Sequence, residues 1–331
     1  MPQDKHSSAF TATRLASNTF LINEYDDIYS EHPLIYAIIF PSTSNTSEAG
    51  TIILIDTGCG GASNDPEVRV TNLREFIETV DVPDNGGRPL NGLESELEGG
   101  KRMGYIVVLT HCHYDHIRDS DSPILASSHS PEFLSDIPEH SLCAFLNIST
   151  PEYTPTLVPH GHAISNLILS NKISSHVTVL HTPGHTPDSL TIYGSTSDPP
   201  MLYVGDSLYE YEPIIFPKEG SIVDWFSSID ALIGFVRIKE RRQKKRVLLN
   251  AGHVTYLQPA REILQAAKGF MEDVVSGREP VRRRWVKRGE ETVEYRQSLQ
   301  GRIEASTTPG ASRFSLICPE RLISEVLTRS E

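Results

Sequence analysis

The chain has 331 residues, of which 38% are hydrophobic and 22% charged, with a formal net charge of −13. This is the composition of a globular protein with enough apolar material for a sizeable core. The acidic balance repels phosphate backbones and anionic lipid, which argues against nucleic-acid or membrane partners. Cys59, Cys112, Cys143 and Cys318 lie far apart with no Cys-x-x-Cys spacing, so no disulfide scaffold is expected. The first residues lack an apolar signal core and no window approaches ~20 apolar residues. A cytoplasmic, reduced protein is therefore expected.

In chain order, Thr19 to Asn23 and Leu34 to Phe40 read as strands, joined onward by a small, polar hairpin loop over 41–50. Thr51 to Ile55 is a continuous β-branched and aliphatic run, the pattern of a strand buried on both faces, and it ends in the turn Asp56-Thr57-Gly58. A helix is predicted around Val70 to Val80. Residues 82–103, rich in Gly, Pro, Asn and Glu, read as a surface insertion. Tyr105 to Leu109 is a second buried strand. Further strands are predicted at Val177 to His181, Ser189 to Tyr193, Met201 to Val204 and Val247 to Asn250. Helices are predicted near Ser221 to Ile238 and Pro259 to Ser276.

The basic run from Lys239 to Arg246 follows the apolar pattern of Ile229, Leu232, Ile233 and Val236. It reads as the solvated end of that helix, where cations offset the partial negative charge of the terminus. From Val281 to Arg302 charged and apolar residues alternate around Gly289, as in a hairpin. Arg313 to Cys318 reads as a strand, and Pro319 opens a last short helix. No strong linker interrupts the chain, so 1–331 is read as one domain, with a C-terminal extension near 277–331.

The stretch His111-Cys112-His113-Tyr114-Asp115-His116 packs three imidazoles and one carboxylate into six residues. Such groups are costly to bury unpaired, and a divalent cation resolves that cost. If the preceding strand persists, His111 and His113 share one side and Cys112 points away. Three more candidate ligands, His185, Asp206 and His253, each follow a glycine in a turn beyond a predicted strand, where open α/β sheets place their sites. Two-metal sites hold ions ~3.5–4 Å apart and often share a carboxylate. His160-Gly-His162 has the His-x-His spacing but no partners nearby in the sequence. Cys112 is expected in the core, and Asp188 as a turn cap or a support for a ligand.

Taken together, Ile55-Asp56-Thr57-Gly58, the His-x-His-x-Asp-His run, Thr182-Pro183-Gly184-His185, Gly205-Asp206 and Gly252-His253 resemble the metallo-β-lactamase superfamily from about Thr51 to His253. The resemblance implies an αββα sandwich of two mixed sheets flanked by helices, with the site at one edge. It implies two Zn2+ ions per chain. His111, His113 and His185 would hold the first, Asp115, His116 and His253 the second, and Asp206 would bridge them. Asp56 would fix the tautomer of a ligand histidine. The run is followed by Ile117-Arg118-Asp119-Ser120, where the family often has Gly-Gly, and this leaves the subfamily open.

Zinc lowers the pKa of bound water from about 15.7 to about 7, so a metal-bridging hydroxide is the expected nucleophile. Asp115 is taken as catalytic as well as ligating, and Tyr209 as a second catalytic residue. Asp206-Ser-Leu-Tyr209 is similar to the Asp-x-x-Tyr arrangement of homoserine-lactone lactonases, in which the hydroxyl helps polarise the carbonyl. Tyr211 to Phe216 would line an apolar pocket mouth. Phe133, Leu134, Phe145 and Leu146 would form another wall within a lid spanning Ile124 to Ser170. The expected substrate is a small cyclic acyl compound, a lactone first, with a lactam or cyclic carbamate next, in detoxification or secondary metabolism. A thioesterase and a non-catalytic metal-binding protein are the alternatives. The sequence leaves the oligomeric state open.

Overall fold

The computed structural model describes residues 7–41, 50–92, 102–118, 122–164, 177–298 and 312–328. Its first sheet has seven strands in the order β1 (Phe10–Ala16), β2 (Thr19–Glu24), β3 (Leu34–Phe40), β4 (Thr51–Ile55), β5 (Gly104–Val108), β6 (Ile124–Ser127) and β7 (Thr156–Val158). β1 to β4 are antiparallel neighbours, and β4 to β7 run parallel. The second sheet contains β8 (Val177–His181), β9 (Leu190–Gly194), β10 (Met201–Tyr203), β12 (Leu248–Asn250) and β13 (Gln258–Pro259), in the order β13-β12-β10-β9-β8. β10 and β12 pair in parallel while β8, β9 and β10 are antiparallel. Both sheets are therefore mixed.

The inner faces meet in a core of Tyr36, Ile38, Ile53 and Ile55 from the first sheet and Val179, Ile192, Met201 and Tyr203 from the second. Alternation sends Ile52 and Leu54 to the opposite face of β4, where they pack on Leu73, Phe76 and Ile77 of helix α1 (Leu73–Thr79). Burial on both faces explains why β4 reads as an unbroken apolar run. The outer face of the second sheet is covered by α5 (Ile222–Gln243) and α6 (Ala260–Val275). Trp225, Ile229, Leu232 and Val236 of α5 recur at three- and four-residue steps and form its buried stripe. Ser221 caps α5 by accepting the Asp224 N–H at 3.1 Å. The helix continues through Gln243, so its last turn carries much of the basic run. Among the described residues, no helix is long and apolar enough to cross a membrane.

A third sheet, absent from the sequence reading, joins β11 (Pro213–Ile215), β16 (Ser315–Pro319), β15 (Glu290–Arg296) and β14 (Val281–Lys287) in that order. The C-terminal segment is thus tied to the middle of the chain, with Pro213 opposite Ser315 in parallel pairing. Leu316 and Cys318 of β16 share a core with α5, α6 and α7 (Glu320–Thr328). The expected insertion is also partly integrated: Val82 and Leu90 are buried against α1. The expected loop over 41–50 falls mostly outside the described residues.

Candidate metal centre

β5 ends at Val108, so His111 to His113 follow the strand in extended loop rather than continuing it. The separation of sides nevertheless holds. His111 and His113 face the cluster, while Cys112 packs with Ala126, Phe133 and Leu134. The loops after β8, β10 and β12 bring His185, Asp206 and His253 to the same point. Two groups result, His111, His113, His185 and Asp206, and Asp115, His116, Asp206 and His253. Every member is buried, and within each group all ligand atoms lie within 4.8 Å of one another. Asp206 belongs to both, so the structure brings the seven candidate residues together.

In the first group His111 Nε2 lies 3.0 Å and His185 Nε2 lies 3.1 Å from His113 Nδ1. Asp206 Oδ2 is 3.8 Å from His111 Nε2 and 3.9 Å from His185 Nε2. In the second, His116 Nε2 is 3.4 Å from both Asp115 Oδ2 and Asp206 Oδ1, and His253 Nε2 is 3.2 Å from Asp115 Oδ2. A tetrahedral zinc with bonds of about 2.0–2.1 Å would space its ligands about 3.4 Å apart, which falls within this spread.

The outward nitrogens of the rings settle which nitrogens face inward. His116 Nδ1–H donates to Asp56 Oδ2 at 2.9 Å. His185 Nδ1–H donates to the Ile215 carbonyl at 2.7 Å, and His253 Nδ1–H to the Glu31 carbonyl at 2.8 Å. Asp56 is itself held by the Thr110 N–H and hydroxyl, both at 2.7 Å. With its proton committed outward and burial keeping the ring neutral, His185 Nε2 presents a bare lone pair toward His113 Nδ1, 3.1 Å away. His116 Nε2 and Asp206 Oδ1 are buried without any hydrogen-bond partner among the described residues. Converging lone pairs beside orphaned buried acceptors are unfavourable alone and are what a cation stabilises. The residues therefore fit a pair of divalent ions, and the imidazole and carboxylate donor set suits zinc.

The electrostatics separate the two groups. Burial, with His185 alongside, lowers His113 to about 3, and burial also lowers His111 and His185. Burial opposes protonation of His116 and His253 too, but nearby carboxylates outweigh it. Asp115, Asp206 and Asp56 hold His116 well above the ordinary imidazole value, and Asp206 and Asp115 hold His253 at about 9. Burial opposes ionisation of Asp115 and Asp206, yet the imidazoles around them, His116 foremost, hold both well below the carboxylate range.

Two glycines are required by the crowding. A Cβ on Gly252 would stand 2.3 Å from Asp206 Oδ1 and 2.9 Å from His116 Cε1. Gly205 has φ +51°, and a Cβ there would lie 2.6 Å from Thr110 Oγ1. The Trp225 indole N–H donates to the Ser207 carbonyl at 2.7 Å, which anchors the Asp206 loop to α5.

His113, Asp115, His185, Asp206 and His253 open onto a cavity of about 280 Å³. Tyr209 lines it, nearly buried, with its ring edge-on to His253 at a centroid distance of 5.5 Å. Burial raises the Tyr209 phenol well above its ordinary value, and the nearby Asp206 carboxylate adds to the effect. As expected, Glu212, Pro213, Ile215 and Phe216 form part of the mouth, but Tyr211 is exposed and Ile214 lies in the core. Leu142 and Leu146 form the opposite wall. Phe133 and Leu134, expected in that wall, pack instead behind the metal loop with Cys112. Asp188 is also behind it. Burial raises its carboxyl to about 6, an effect that the neighbouring Thr186 hydroxyl and Cys112 thiol partly offset. His160 accepts the His181 N–H at 3.1 Å, away from the cavity.

The sequence reading missed Glu31 and Tyr114, which line the cavity and share a hydrogen bond between carboxylate and phenol. Tyr114 lay inside the ligand run, whereas Glu31 carried no signal. It also missed Lys287, Arg288, Thr292 and Ile317, with which the third sheet closes the cavity.

No family model matches the sequence. The protein named "Putative transcription factor avaE" from Aspergillus versicolor is 29% identical over 330 residues, covering 96% of this chain and 88% of that one. A metallo-β-lactamase family protein from Thermus thermophilus superposes with a TM-score of 0.50 at 18% identity, covering 80% of this chain and 82% of that one. A metallo-β-lactamase from Pontibacter korlensis gives a TM-score of 0.48 at 17% identity, over 80% and 99% of the two chains. The mixed sheets and their flanking helices are those of the metallo-β-lactamase fold.

Proposed function

We propose that this chain is a dinuclear zinc hydrolase that opens a small cyclic acyl substrate, a lactone before a lactam. The observation that carries the reading is the pair of buried ligand groups sharing Asp206 at one wall of a cavity. When bound, two zinc ions supply Lewis acidity and activate water at neutral pH.

The chain's own residues would do the rest. Asp115 and Asp206 stay ionised throughout the neutral range because the imidazoles hold their protons off. Asp56, Ile215 and Glu31 fix three imidazoles through their Nδ1 protons, so the rings cannot swing away from the centre. Tyr209 keeps its phenolic proton at any physiological pH. It is therefore a hydrogen-bond donor, suited to an acyl oxygen that gains negative charge or to the oxygen that leaves. Leu142, Leu146 and Phe216 would hold the apolar part of the substrate and exclude water.

The Aspergillus relative's name would carry a transcriptional role. A nucleic-acid site requires a basic footprint, whereas this chain has a net charge of −13, and seven converging metal ligands have no use in that role. The test is metal analysis followed by a panel of lactone, lactam, thioester and phosphodiester substrates. Two zinc ions per chain and preferential lactone turnover are expected. Tyr209→Phe should lower lactone turnover with both metals retained. A protein that stays metal-free in excess zinc would defeat the reading, and preferential thioester turnover would move it to a thioesterase.

A further inference from the structure

We infer that Lys287 and Arg288, on the tip of the C-terminal hairpin, form a subsite for a carboxylate carried by the acyl substrate. The inference rests on the hydrolase reading and adds to it the charge of the substrate. Both residues line the cavity that holds His113, Asp115, His185, Asp206 and His253. Neither makes an ion pair among the described residues. Lys218, the other lysine on the wall, is already engaged by Glu139 at 3.0 Å and Glu219 at 3.3 Å. The wall acids are mostly engaged as well: Glu31 accepts from Tyr114, and Glu290 accepts from Arg321 at 3.3 Å. Glu31 and Glu212 share the wall, but no carboxylate is in ion-pair contact with Lys287 or Arg288 among the described residues, so both cations are available to an incoming carboxylate.

The two cations are also held in place. β14 and β15 pair through Lys287 and Glu290, leaving only Arg288 and Gly289 in the turn. Both have positive φ, 52° and 79°. Such two-residue turns favour Asn-Gly, and an arginine in the left-handed region is strained. Such strain persists only where surrounding contacts hold the residue in place. The guanidinium is then fixed over the Phe145 ring, 4.2 Å from its centroid, so the arginine bridges the hairpin and the opposite wall by a cation–π contact. Partial burial and the neighbouring Arg288 charge lower the Lys287 ammonium, while Glu31 opposes them. An anion at this point would relieve that repulsion.

The experiment uses the full-length zinc-loaded protein and α,ω-dicarboxylates of four to eight carbons, each against its half methyl ester, by calorimetric titration. For at least one length the diacid should bind about tenfold more tightly than the half ester, beyond the statistical factor of two, as two partly exposed charge pairs allow. In Lys287→Gln/Arg288→Gln the difference should vanish, with zinc content unchanged. Equal binding in the parent protein at every length, or a preference that survives the double substitution, overturns the subsite. In parallel, the 4-nitrophenyl monoesters of the same diacids are compared with their methyl esters for turnover. Preference for the free acid through KM, lost in the double variant, supports the subsite. Turnover without preference removes the subsite and leaves the hydrolase standing. A binding difference with no turnover of any ester or of the earlier panel keeps the anion subsite and removes the hydrolase.

Discussion

Replacing Asp56 by Asn tests whether a residue outside the ligand groups controls one metal site and not the other. Asp56 accepts three hydrogen bonds, from the Thr110 N–H to Oδ1, and from the Thr110 hydroxyl and His116 Nδ1 to Oδ2. With the asparagine oxygen on the Thr110 N–H, its amide nitrogen faces the other two groups. The hydroxyl can rotate to accept, but His116 can accept only by shedding its Nδ1 proton. The proton then moves to Nε2, the atom aimed at the second group. A charge-assisted hydrogen bond of about 1.5–3 kcal/mol is lost, in line with the 10–100-fold effects of removing a metal ligand's support. The second ion should therefore bind roughly 10–100-fold more weakly. The first should be nearly unchanged, because His113 and His185 do not touch Asp56 and His111 reaches it only through Thr110. Competitive zinc titration against a chelating indicator resolves the two steps. Two ions bound with parent affinities, or both weakened equally, would refute the tautomer argument.

Four further substitutions test the geometry. Gly252→Ala would push a methyl into Asp206 and His116 and should destabilise the fold by about 1–3 kcal/mol while weakening both ions. Gly234→Ala in α5, with nothing within 4 Å of its Cβ, should gain up to about 1 kcal/mol, and denaturant melts measure both. Glu24 accepts three backbone N–H groups from Cys59, Gly60 and Gly61, but burial outweighs them and raises its carboxyl from 4.5 to about 7. Its contribution is fully present below pH 4.5 and is lost as pH rises through 7, by roughly 3 kcal/mol. Glu24→Gln should flatten that slope, and an unchanged slope from pH 4 to 8 would contradict it. Arg288→Asn should relieve the strained turn and raise stability by about 1 kcal/mol while reducing selection for anionic acyl compounds. A loss of stability would show that the arginine's contact with Phe145 outweighs the backbone strain.

The features legible in the sequence were those set by local rules. β3, β4 and β8 appear with the expected bounds, β3 and β4 because a strand largely buried on both faces reads as a near-continuous apolar run. The seven candidate ligands were legible because metal binding needs particular side chains, and turns at strand ends deliver them. The helices α2 (Pro131–Leu134), α3 (Ile137–His140) and α4 (Cys143–Leu146) were not, since four residues are too few to show a helical period.

What tertiary structure decided is the wall of the cavity. β11 reads as three residues of no particular pattern until β16 lies beside it, and sheet partners distant in sequence are chosen by packing, which local propensity does not encode. That pairing sets the C-terminal hairpin at the mouth and brings Lys287 and Arg288 to the cavity that holds His253 and Tyr209. The identity of the ligands belongs to the sequence. The shape and charge of the space in front of them exist only once distant strands have met.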